Sequence, residues 1–439
     1  MLNAILAIAV GTGVASGQAV VTSDSGSLRL GTLYQLVAKL SPRLEAARAF
    51  ARAAEARVPS ARRPPDPQLQ LGFMNRELPS LAPMDPLGMT QLQLMQMLPL
   101  GGKLGLAGNA AESQALAARE RAEDVRWELR SRVAMAFYDL YQTDRSIAVA
   151  TNTRRLLQDI SKTAQTMYAV GEGRQADVLK AQVEIARMTE DLVRMEAMRL
   201  AMVSRIGGLL DRTVDSMLAA PELPAFPAAL LPLDSLQRLA EANRPMIRAG
   251  IEDLRAADAS LKLARREIWP DLQLGVQYGQ RGGAMGQERM GSLMIGASLP
   301  VFASSRQLKM REEAEAMKGM ATADVAAMRA ETRARVTELY ADLVRARNLT
   351  TLYQSTILPQ SRASVTSSLA AYRVGQVNLM TLLDNQMTVN RYQQDLFTLE
   401  AEQGKALAEL EMLIGRELMD ANSTNSAKKS PTGATGSGQ

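Results

Sequence analysis

Apolar and polar residues alternate in four short segments of the chain, and each alternation predicts a β-strand with one apolar face. In the first segment, Leu69, Leu71 and Phe73 alternate with Gln70 and Gly72, which is the period of two expected of a strand. The predicted strands are 68–76, 90–98, 271–279 and 291–299, and the breaker-rich loops within each pair are 78–88 and 281–289.

A second pattern, with apolar residues at alternating steps of three and four, predicts long helices after each pair of strands. In the last helix the repeating positions are Val389, Tyr392, Leu396, Leu399, Gln403, Ala406, Leu410 and Leu413. This is the spacing of a coiled-coil seam. The chain has no proline between Gly101 and Pro221, and a helix from the turn Gly171-Glu-Gly173 back to the strands would be roughly 100 Å long. Each half is therefore predicted to end in a long helical hairpin, at 102–215 and 304–418.

The two halves of the chain repeat each other. The segment Leu69-Gln-Leu-Gly72 recurs as Leu272-Gln-Leu-Gly275, at an offset of 272 − 69 = 203, and this offset persists to Asp139 and Asp342. At the turns, Tyr168-Ala-Val-Gly171 is matched by Tyr372-Arg-Val-Gly375 at 372 − 168 = 204, so one residue is inserted in the second half. The predicted division is a first repeat at 18–220, a linker at 221–232 and a second repeat at 233–419. The first repeat is predicted to begin with helical sequence from Leu28 to about Arg62, including a short helix at Leu30–Leu40 that is the counterpart of a short helix at Leu233–Ala242.

The two ends of the chain differ from the repeats. The apolar run from Ala4 to Val14, followed by Ala15-Ser-Gly17, predicts a signal peptide at 1–17. The polar composition of 420–439 is typical of a disordered tail. No later stretch reaches the roughly 18 apolar residues of a membrane-spanning helix.

Composition excludes most catalytic chemistry. The chain has no Cys and no His, which removes thiolate and imidazole metal sites and the usual general base. We therefore expect no enzyme activity, no catalytic residues, no cofactor and no metal site. The formal charge of +5 comes from basic residues interleaved with acidic ones, so nucleic-acid binding is not expected.

The four predicted strands have the length of membrane-crossing β-strands, yet four strands cannot close a barrel, which needs about eight. Lipid cannot satisfy the open edge of a sheet. Two interpretations remain at this point: the sheet is a soluble patch, or several chains pool their strands into one barrel.

The residues resemble the TolC-like family of outer-membrane efflux proteins over about Leu28 to Leu418. The shared features are the doubled helix-strand-strand-helix-helix order, a Leu-Pro pair after the second strand of each half, a Tyr-x-x-Gly turn in each hairpin and an Ile-Gly pair at each hairpin's end. The resemblance implies a mainly α fold with a small β part. Duplicated long hairpins would form an α-barrel, and four strands per chain would join a trimeric transmembrane β-barrel.

The resemblance also implies a function. The protein would be the outer-membrane channel of a tripartite efflux system, a passive homotrimeric duct for drugs or metal ions with a periplasmic extension. Its partners would be a periplasmic adaptor, an inner-membrane pump and outer-membrane lipid.

In this family the hairpin tips form a periplasmic gate. The positions that match it here are Tyr168, Gly171, Asp177, Tyr372, Gly375 and Asp384. Tyr372 and Asp384 match a gate tyrosine and a gate carboxylate, and Asp177 matches a carboxylate that bonds to the neighbouring hairpin. The chain departs from the family at Val377, where an arginine is expected, and at Thr381, where an acidic residue is expected. Arg174 or Arg373 are the candidates to replace that arginine.

Pro359 is the hinge candidate. Its counterpart, at 359 − 203 = 156, is Leu156, so a proline-induced kink would affect the second hairpin alone. The 25 methionines are interpreted mainly as core filling. The stretch Pro99-Leu-Gly-Gly-Lys103 resembles the heavy-metal branch of the family and favours a metal-ion pump as partner.

Two other functions stay open. One is the outer-membrane component of type I protein secretion. The other, of a different class, is a periplasmic coiled-coil adaptor or scaffold. An adaptor normally has one hairpin per chain, whereas two are predicted here, and a soluble scaffold leaves the alternating strands unexplained.

Overall fold

The computed structural model describes residues 27–77, 79–80, 82–83, 88–212, 219–283 and 286–418. The predicted signal peptide at 1–17 and the predicted tail at 420–439 lie outside these residues. The described part is mainly helical with a small β part, which confirms the predicted fold class.

The helices before each pair of strands come in twos. They are α1 (Leu30–Leu40) and α2 (Pro42–Ala61) in the first half, and α5 (Leu233–Asn243) and α6 (Pro245–Arg266) in the second. The segment predicted to be helical from Leu28 to about Arg62 is thus two helices, and α1 and α5 agree with the short helices predicted at Leu30–Leu40 and Leu233–Ala242. Ser41 is extended, with ψ of 117°, because the ring of Pro42 disfavours the α conformation in the residue before it. Arg244 before Pro245, with ψ of 119°, repeats this break.

The long helices follow the predicted hairpins. They are α3 (Lys103–Ala169), α4 (Gln175–Leu210), α7 (Gln307–Leu352), a π-helical turn (Tyr353–Ile357), α8 (Leu358–Arg373) and α9 (Leu379–Ile414). The predicted seam of α9 is largely buried, including Leu396, Leu399 and Leu410. Among the described residues, every helix is too short or too polar to span a bilayer.

The strands form one principal sheet. Their bounds are β1 (Gln68–Met74), β2 (Arg76–Glu77), β3 (Ala82–Pro83), β4 (Met89–Leu98), β5 (Leu272–Gly283) and β6 (Gly286–Ala297). The order is β1-β4-β5-β6, with antiparallel neighbours throughout, and β2 pairs with β3 separately. In the described chain, β1 and β6 are thus the two open edges of the four-stranded sheet.

The loop predicted at 281–289 is wrong, because the ladder continues through most of it. Arg281 lies opposite Glu288 and forms a salt bridge with it (2.7 Å), and Gly283 pairs with Gly286. The glycines suggested a loop, but cross-strand pairs on both sides keep these residues in the hairpin. The fourth strand consequently spans 286–297 instead of 291–299.

The described residues form two compact units. The tip unit contains the described residues of 27–41, 129–226 and 342–408, and the strand unit contains those of 42–128, 227–341 and 409–418. Both units draw segments from both halves of the chain. The division into repeats at 18–220 and 233–419 therefore stays a prediction about the sequence.

Within the strand unit, ion pairs define the order α2-α3-α6-α7. Arg43 of α2 contacts Glu128 of α3 (2.7 Å), Arg248 of α6 contacts Glu120 of α3 (2.6 Å), and Lys318 of α7 contacts Asp258 of α6 (2.6 Å). The helices α2 and α7 are therefore the outer members of this layer.

Within the tip unit, polar contacts link α4 to α3, α3 to α9, and α9 to α7 and α8. Arg199 of α4 contacts Asp144 of α3 (2.7 Å), Tyr141 of α3 donates to Glu400 of α9 (2.7 Å), and Arg345 of α7 contacts Glu402 of α9 (3.0 Å). The helices α3 and α9 each contact two neighbours and lie inside the tip unit, whereas α4 and the α7-α8 segment lie at its edges.

Candidate functional site

The two hairpin tips have the same backbone. Gly171 and Gly375 have φ of +82° and +73°, a left-handed conformation that favours glycine. The Gly171 N–H donates to the carbonyl of Tyr168 (3.1 Å), and the Gly375 N–H donates to the carbonyl of Tyr372 (3.0 Å). The Tyr-x-x-Gly pattern thus encodes a helix-terminating turn at each tip.

The two tip tyrosines differ in burial. Tyr168 is 49% exposed and Tyr372 is 5% exposed. Tyr372 belongs to a core that contains residues of both hairpins: Leu157, Ile160, Ala181, Met188, Leu379, Leu382 and Leu383. Only Tyr372 of this pair therefore helps to hold the hairpins together.

The structure brings Tyr372 and Asp177 into electrostatic contact. Burial of the ring, and then the negative charge of Asp177, raise the pKa of the Tyr372 hydroxyl above its ordinary value. Asp177 lies in the first turn of α4, where its N–H donates to the carbonyl of Arg174 (3.0 Å). Two of the predicted gate residues, one from each hairpin, are thus neighbours.

Asp384 is placed differently. Its side chain is exposed, as are those of Arg174 and Arg373. Within the described part of the chain, none of these three side chains takes part in an ion pair. The structure of one chain therefore does not pair the gate carboxylate with either candidate arginine.

Thr381 has a role that the sequence analysis missed. The side-chain oxygen of Asn378 accepts hydrogen bonds from the N–H and the hydroxyl of Thr381, both at 2.9 Å. Asn378 thereby caps the start of α9. Its counterpart in the first half, at 378 − 204 = 174, is Arg174, which makes no side-chain cap on α4. An asparagine immediately before an apolar helical run is the signal that would have identified this cap.

Pro359 follows the π-helical turn and is the second residue of α8. The turn places Tyr353 against α9, where its ring packs edge-to-face on Tyr392 at 5.8 Å and its hydroxyl donates to Asp395 (3.4 Å). The hinge candidate therefore coincides with a break in regular α-helical hydrogen bonding.

Buried polar pairs, also missed from the sequence, join the helices of the tip unit. Thr153 donates to Asn390 (3.3 Å), and Asn385 donates to Ser368 (2.6 Å). Such pairs fix the register of coiled coils at some cost in stability.

A junction at the base of the strands is built around Lys103. Its side chain is buried, and its ammonium donates to the carbonyl of Trp269 and to Asp271, both at 2.8 Å. The preceding Gly101 and Gly102 have φ of +72° and +75°. Lys103 therefore ties the start of α3 to the start of β5.

The principal sheet has one apolar face and one polar face. Leu69, Leu94, Val276 and Leu293 form a row across all four strands on the apolar face. The neighbouring row on the opposite face is Gln70, Gln93, Gln277 and Ser292. Leu293 is 73% exposed, so the apolar face is uncovered in the single chain.

Known proteins resemble this chain in sequence and in fold. Residues 33–210 and 236–416 match the profile of the family described as outer membrane efflux protein. The chain is 27% identical over 284 residues to the pyoverdine export outer membrane protein OpmQ of Pseudomonas putida, covering 60% of this chain and 57% of that relative.

It is 23% identical over 330 residues to the cobalt-zinc-cadmium resistance protein CzcC of Cupriavidus metallidurans, covering 73% of this chain and 75% of that protein. The solved structure of the outer-membrane channel OprN has a TM-score of 0.76 at 19% identity, covering 89% of this chain and 90% of that one. This likeness establishes a shared fold.

Proposed function

Because this chain belongs to the outer membrane efflux protein family, we propose that it is the outer-membrane channel of a tripartite efflux system. It acts as a passive homotrimeric duct, with its strands in the outer membrane and its hairpins in the periplasm. The observation that carries this proposal is the uncovered apolar face on a sheet with two open edges. Its long strands have 7 to 12 residues, close to the roughly 9 to 11 of membrane strands.

The sheet is suited to closure by further copies of itself. Lipid leaves no hydrogen-bond partner for an open strand edge, and four strands are too few for a barrel. Because β1 and β6 run in opposite directions, β6 of one copy meets β1 of the next as an antiparallel pair. Three copies give 4 × 3 = 12 strands, an even number as in bacterial barrels.

The outer helices of the strand unit are complementary to each other. Beside α7 lies a groove of about 790 Å³, lined by methionine and alanine together with Glu313, Asp324 and Glu331. These three carboxylates have no ion pair within the described residues. The helix α2 exposes Phe50 and Arg57. An apolar ring and a cation on α2 of one copy therefore suit the acidic, apolar groove of the next.

The hairpin tips suit the periplasmic partners. Val170 and Val374 occupy equivalent positions, each directly before the tip glycine, and both side chains are strongly exposed. An exposed apolar side chain at a turn is a natural anchor for another protein. We assign these tips to contact with the periplasmic adaptor, which links the channel to the inner-membrane pump. The cargo is a drug or a metal ion, since relatives are named for pyoverdine export and for cobalt-zinc-cadmium resistance.

The alternatives are less well supported. An adaptor would carry one hairpin, whereas this chain has two, α3 with α4 and α7-α8 with α9. Type I protein secretion uses the same kind of duct and differs in the pump that feeds it. Nothing in the site favours that pump.

The test is to express the full chain, separate the membranes and extract the protein with detergent. A trimer in detergent that conducts ions across planar bilayers is expected. Leu293→Arg places a charge on the apolar face and should cost about 2–4 kcal/mol at mid-membrane, impairing insertion. Ser292→Arg, the adjacent position on the polar face, should insert and alter conductance instead. A protein that is monomeric and fully soluble without detergent would refute the proposal.

A further inference from the structure

Six methionines lie on the polar face of the principal sheet. They are Met74, Met89, Met95, Met97, Met290 and Met294, and the strand register places all of them on the side of the glutamine row. A thioether on a face that otherwise carries amides neither hydrogen-bonds strongly nor buries its apolar surface well. Met74, Met97 and Met290 are exposed in the single chain, so core filling does not explain them.

Two of these methionines converge over a glycine. Met95 on β4 and Met294 on β6 are the register partners of Gly275 on the strand between them. A β-carbon placed on Gly275 would lie 3.2 Å from Cε of Met294 and 3.6 Å from Cγ of Met95. Gly275 has no side chain, and the two methionine side chains approach the space above it from the strands on either side.

A related but less regular group lies four residues along β5, about 13 Å away. Met290 on β6 is the register partner of Gly279, whose partner on β4 is Gln91. Met89, the partner of Arg281, reaches back along β4, and its sulfur lies 3.0 Å from the position a β-carbon on Gly279 would take. Met74 is paired with Met89 on the outer side. The polar face thus carries two methionine-glycine-methionine groups. One is Met95, Gly275 and Met294, and the other is Met89, Gly279 and Met290; the row of Gln93 and Gln277 lies between them.

The donor set selects a class of ligand. Thioethers are soft, neutral donors that prefer soft cations such as Cu⁺ over hard divalent ions. The chain has no Cys and no His, so methionine supplies its only soft side-chain donors. The described residues also hold no cluster of acidic side chains suited to a metal ion. On this face, the charges of Arg281 and Glu288 are paired with each other at 2.7 Å.

From this geometry we infer that the two methionine-glycine-methionine groups are binding sites for soft monovalent cations, Cu⁺ or Ag⁺. The two groups are open to solvent and carry no charge, so a bound cation would stay briefly and then be released along the polar face of the sheet. Their use as a path for such ions through the barrel rests on the proposed channel function. The binding itself depends only on the folded sheet.

The probe is Ag⁺, titrated calorimetrically in a chloride-free buffer into the full-length protein in detergent. Wild type is compared with the double variant Met95→Leu/Met294→Leu, which conserves volume and removes both thioethers of one group. The matched control is Met198→Leu/Met380→Leu, two exposed methionines on α4 and α9 that lie outside the sheet and outside the groove beside α7. All three proteins are first checked for trimer formation and for bilayer conductance.

We expect the Met95→Leu/Met294→Leu variant to bind one Ag⁺ fewer per chain than wild type, while the control variant binds like wild type. X-ray absorption at the silver edge should show two sulfur neighbours in wild type. Equal binding by wild type and the Met95→Leu/Met294→Leu variant would overturn the inference, and so would an equal loss in the control. If wild type binds Ag⁺ but forms no conducting trimer, the channel function fails and the binding site stands. If it conducts but does not bind Ag⁺, the site fails and the channel stands.

Discussion

The ring of Tyr138 on α3 covers Gly404 on α9 so closely that a β-carbon at position 404 would overlap it. Tyr138 is fully buried, and its ring also packs edge-to-face on Phe137 at 5.4 Å and stacks on Phe226 at 6.4 Å. The close contact of these two inner helices at this point therefore depends on the absence of a side chain at position 404.

Gly404→Ala should destabilise the protein by about 1–3 kcal/mol, the usual cost of overpacking. The higher helix propensity of alanine would offset up to about 1 kcal/mol of this. Thermal unfolding in detergent measures the difference. Gly319→Ala on α7 is the control, because nothing lies within 4 Å of a β-carbon there, and it should leave stability equal or slightly raised. Equal melting temperatures for both variants would contradict this account.

Lys103→Ala should destabilise the strand unit by about 3–5 kcal/mol, because it leaves the partly buried Asp271 without its cation. Lys309→Ala removes a surface pair with Glu312 at 2.7 Å and should cost at most about 1 kcal/mol. Detergent-resistant trimer yield and melting temperature are the measurements. A mild effect of Lys103→Ala, similar to that of Lys309→Ala, would show that the junction is not a tie between α3 and β5.

The raised pKa of Tyr372 predicts alkaline sensitivity of the hairpin tips. The hydroxyl ionises at higher pH in the folded protein than in the unfolded chain, whose value is 10.0. The folded state thus holds more protons above pH 10.0, and its stability falls as pH rises through the folded pKa. Below pH 10.0 the stabilisation is complete.

Melting temperatures of wild type and Tyr372→Phe, measured from pH 8 to about pH 11, test this. Wild type should lose more stability on the alkaline side than Tyr372→Phe. Tyr168→Phe, which changes the exposed tyrosine of the other tip, should follow wild type. Parallel curves for wild type and Tyr372→Phe would rule out this contribution.

Asp384 should influence ion selectivity if the tips line the periplasmic end of the duct. In a trimer it would form a ring of three exposed carboxylates, and such rings favour cations. Asp384→Asn should shift the reversal potential in a salt gradient toward that of a less cation-selective channel. Asp159→Asn, which removes an exposed carboxylate on α3 paired with Lys162 at 3.4 Å, should leave it unchanged. An unchanged potential in Asp384→Asn would place this residue away from the ion path.

The sequence predicted the presence of long helices and of a few alternating strands, because both depend on local periodicity. The strand β4 and the turns at Gly171 and Gly375 lie close to their predicted places. The short helices α1 and α5 also lie close to their predicted places, whereas the extension of the β5-β6 ladder through 281–289 was missed because its glycines resemble a loop.

The different burial of Tyr168 and Tyr372 lies beyond local sequence. Both tyrosines occupy the same Tyr-x-x-Gly turn with the same hydrogen bond, and only the packing of the other hairpin buries one of them. The proximity of Asp177 to Tyr372 has the same origin, since the two residues are 195 positions apart (372 − 177). The gate role of these residues remains a proposal.

The π-helical turn accounts for the arithmetic of the repeat. The offset between the halves is 203 at Asp342 and 204 at Tyr372, and Tyr353–Ile357 lies between them. A π turn bonds residue i to i+5 and so holds one residue more than an α turn. The extra residue is therefore absorbed inside the helix, without a loop. Beyond the turn the offset is 204, so Pro359 corresponds to Arg155 (359 − 204 = 155) and not to Leu156. The second hairpin thus reaches the same Tyr-x-x-Gly turn as the first, with the same hydrogen bond, although its helix holds one residue more.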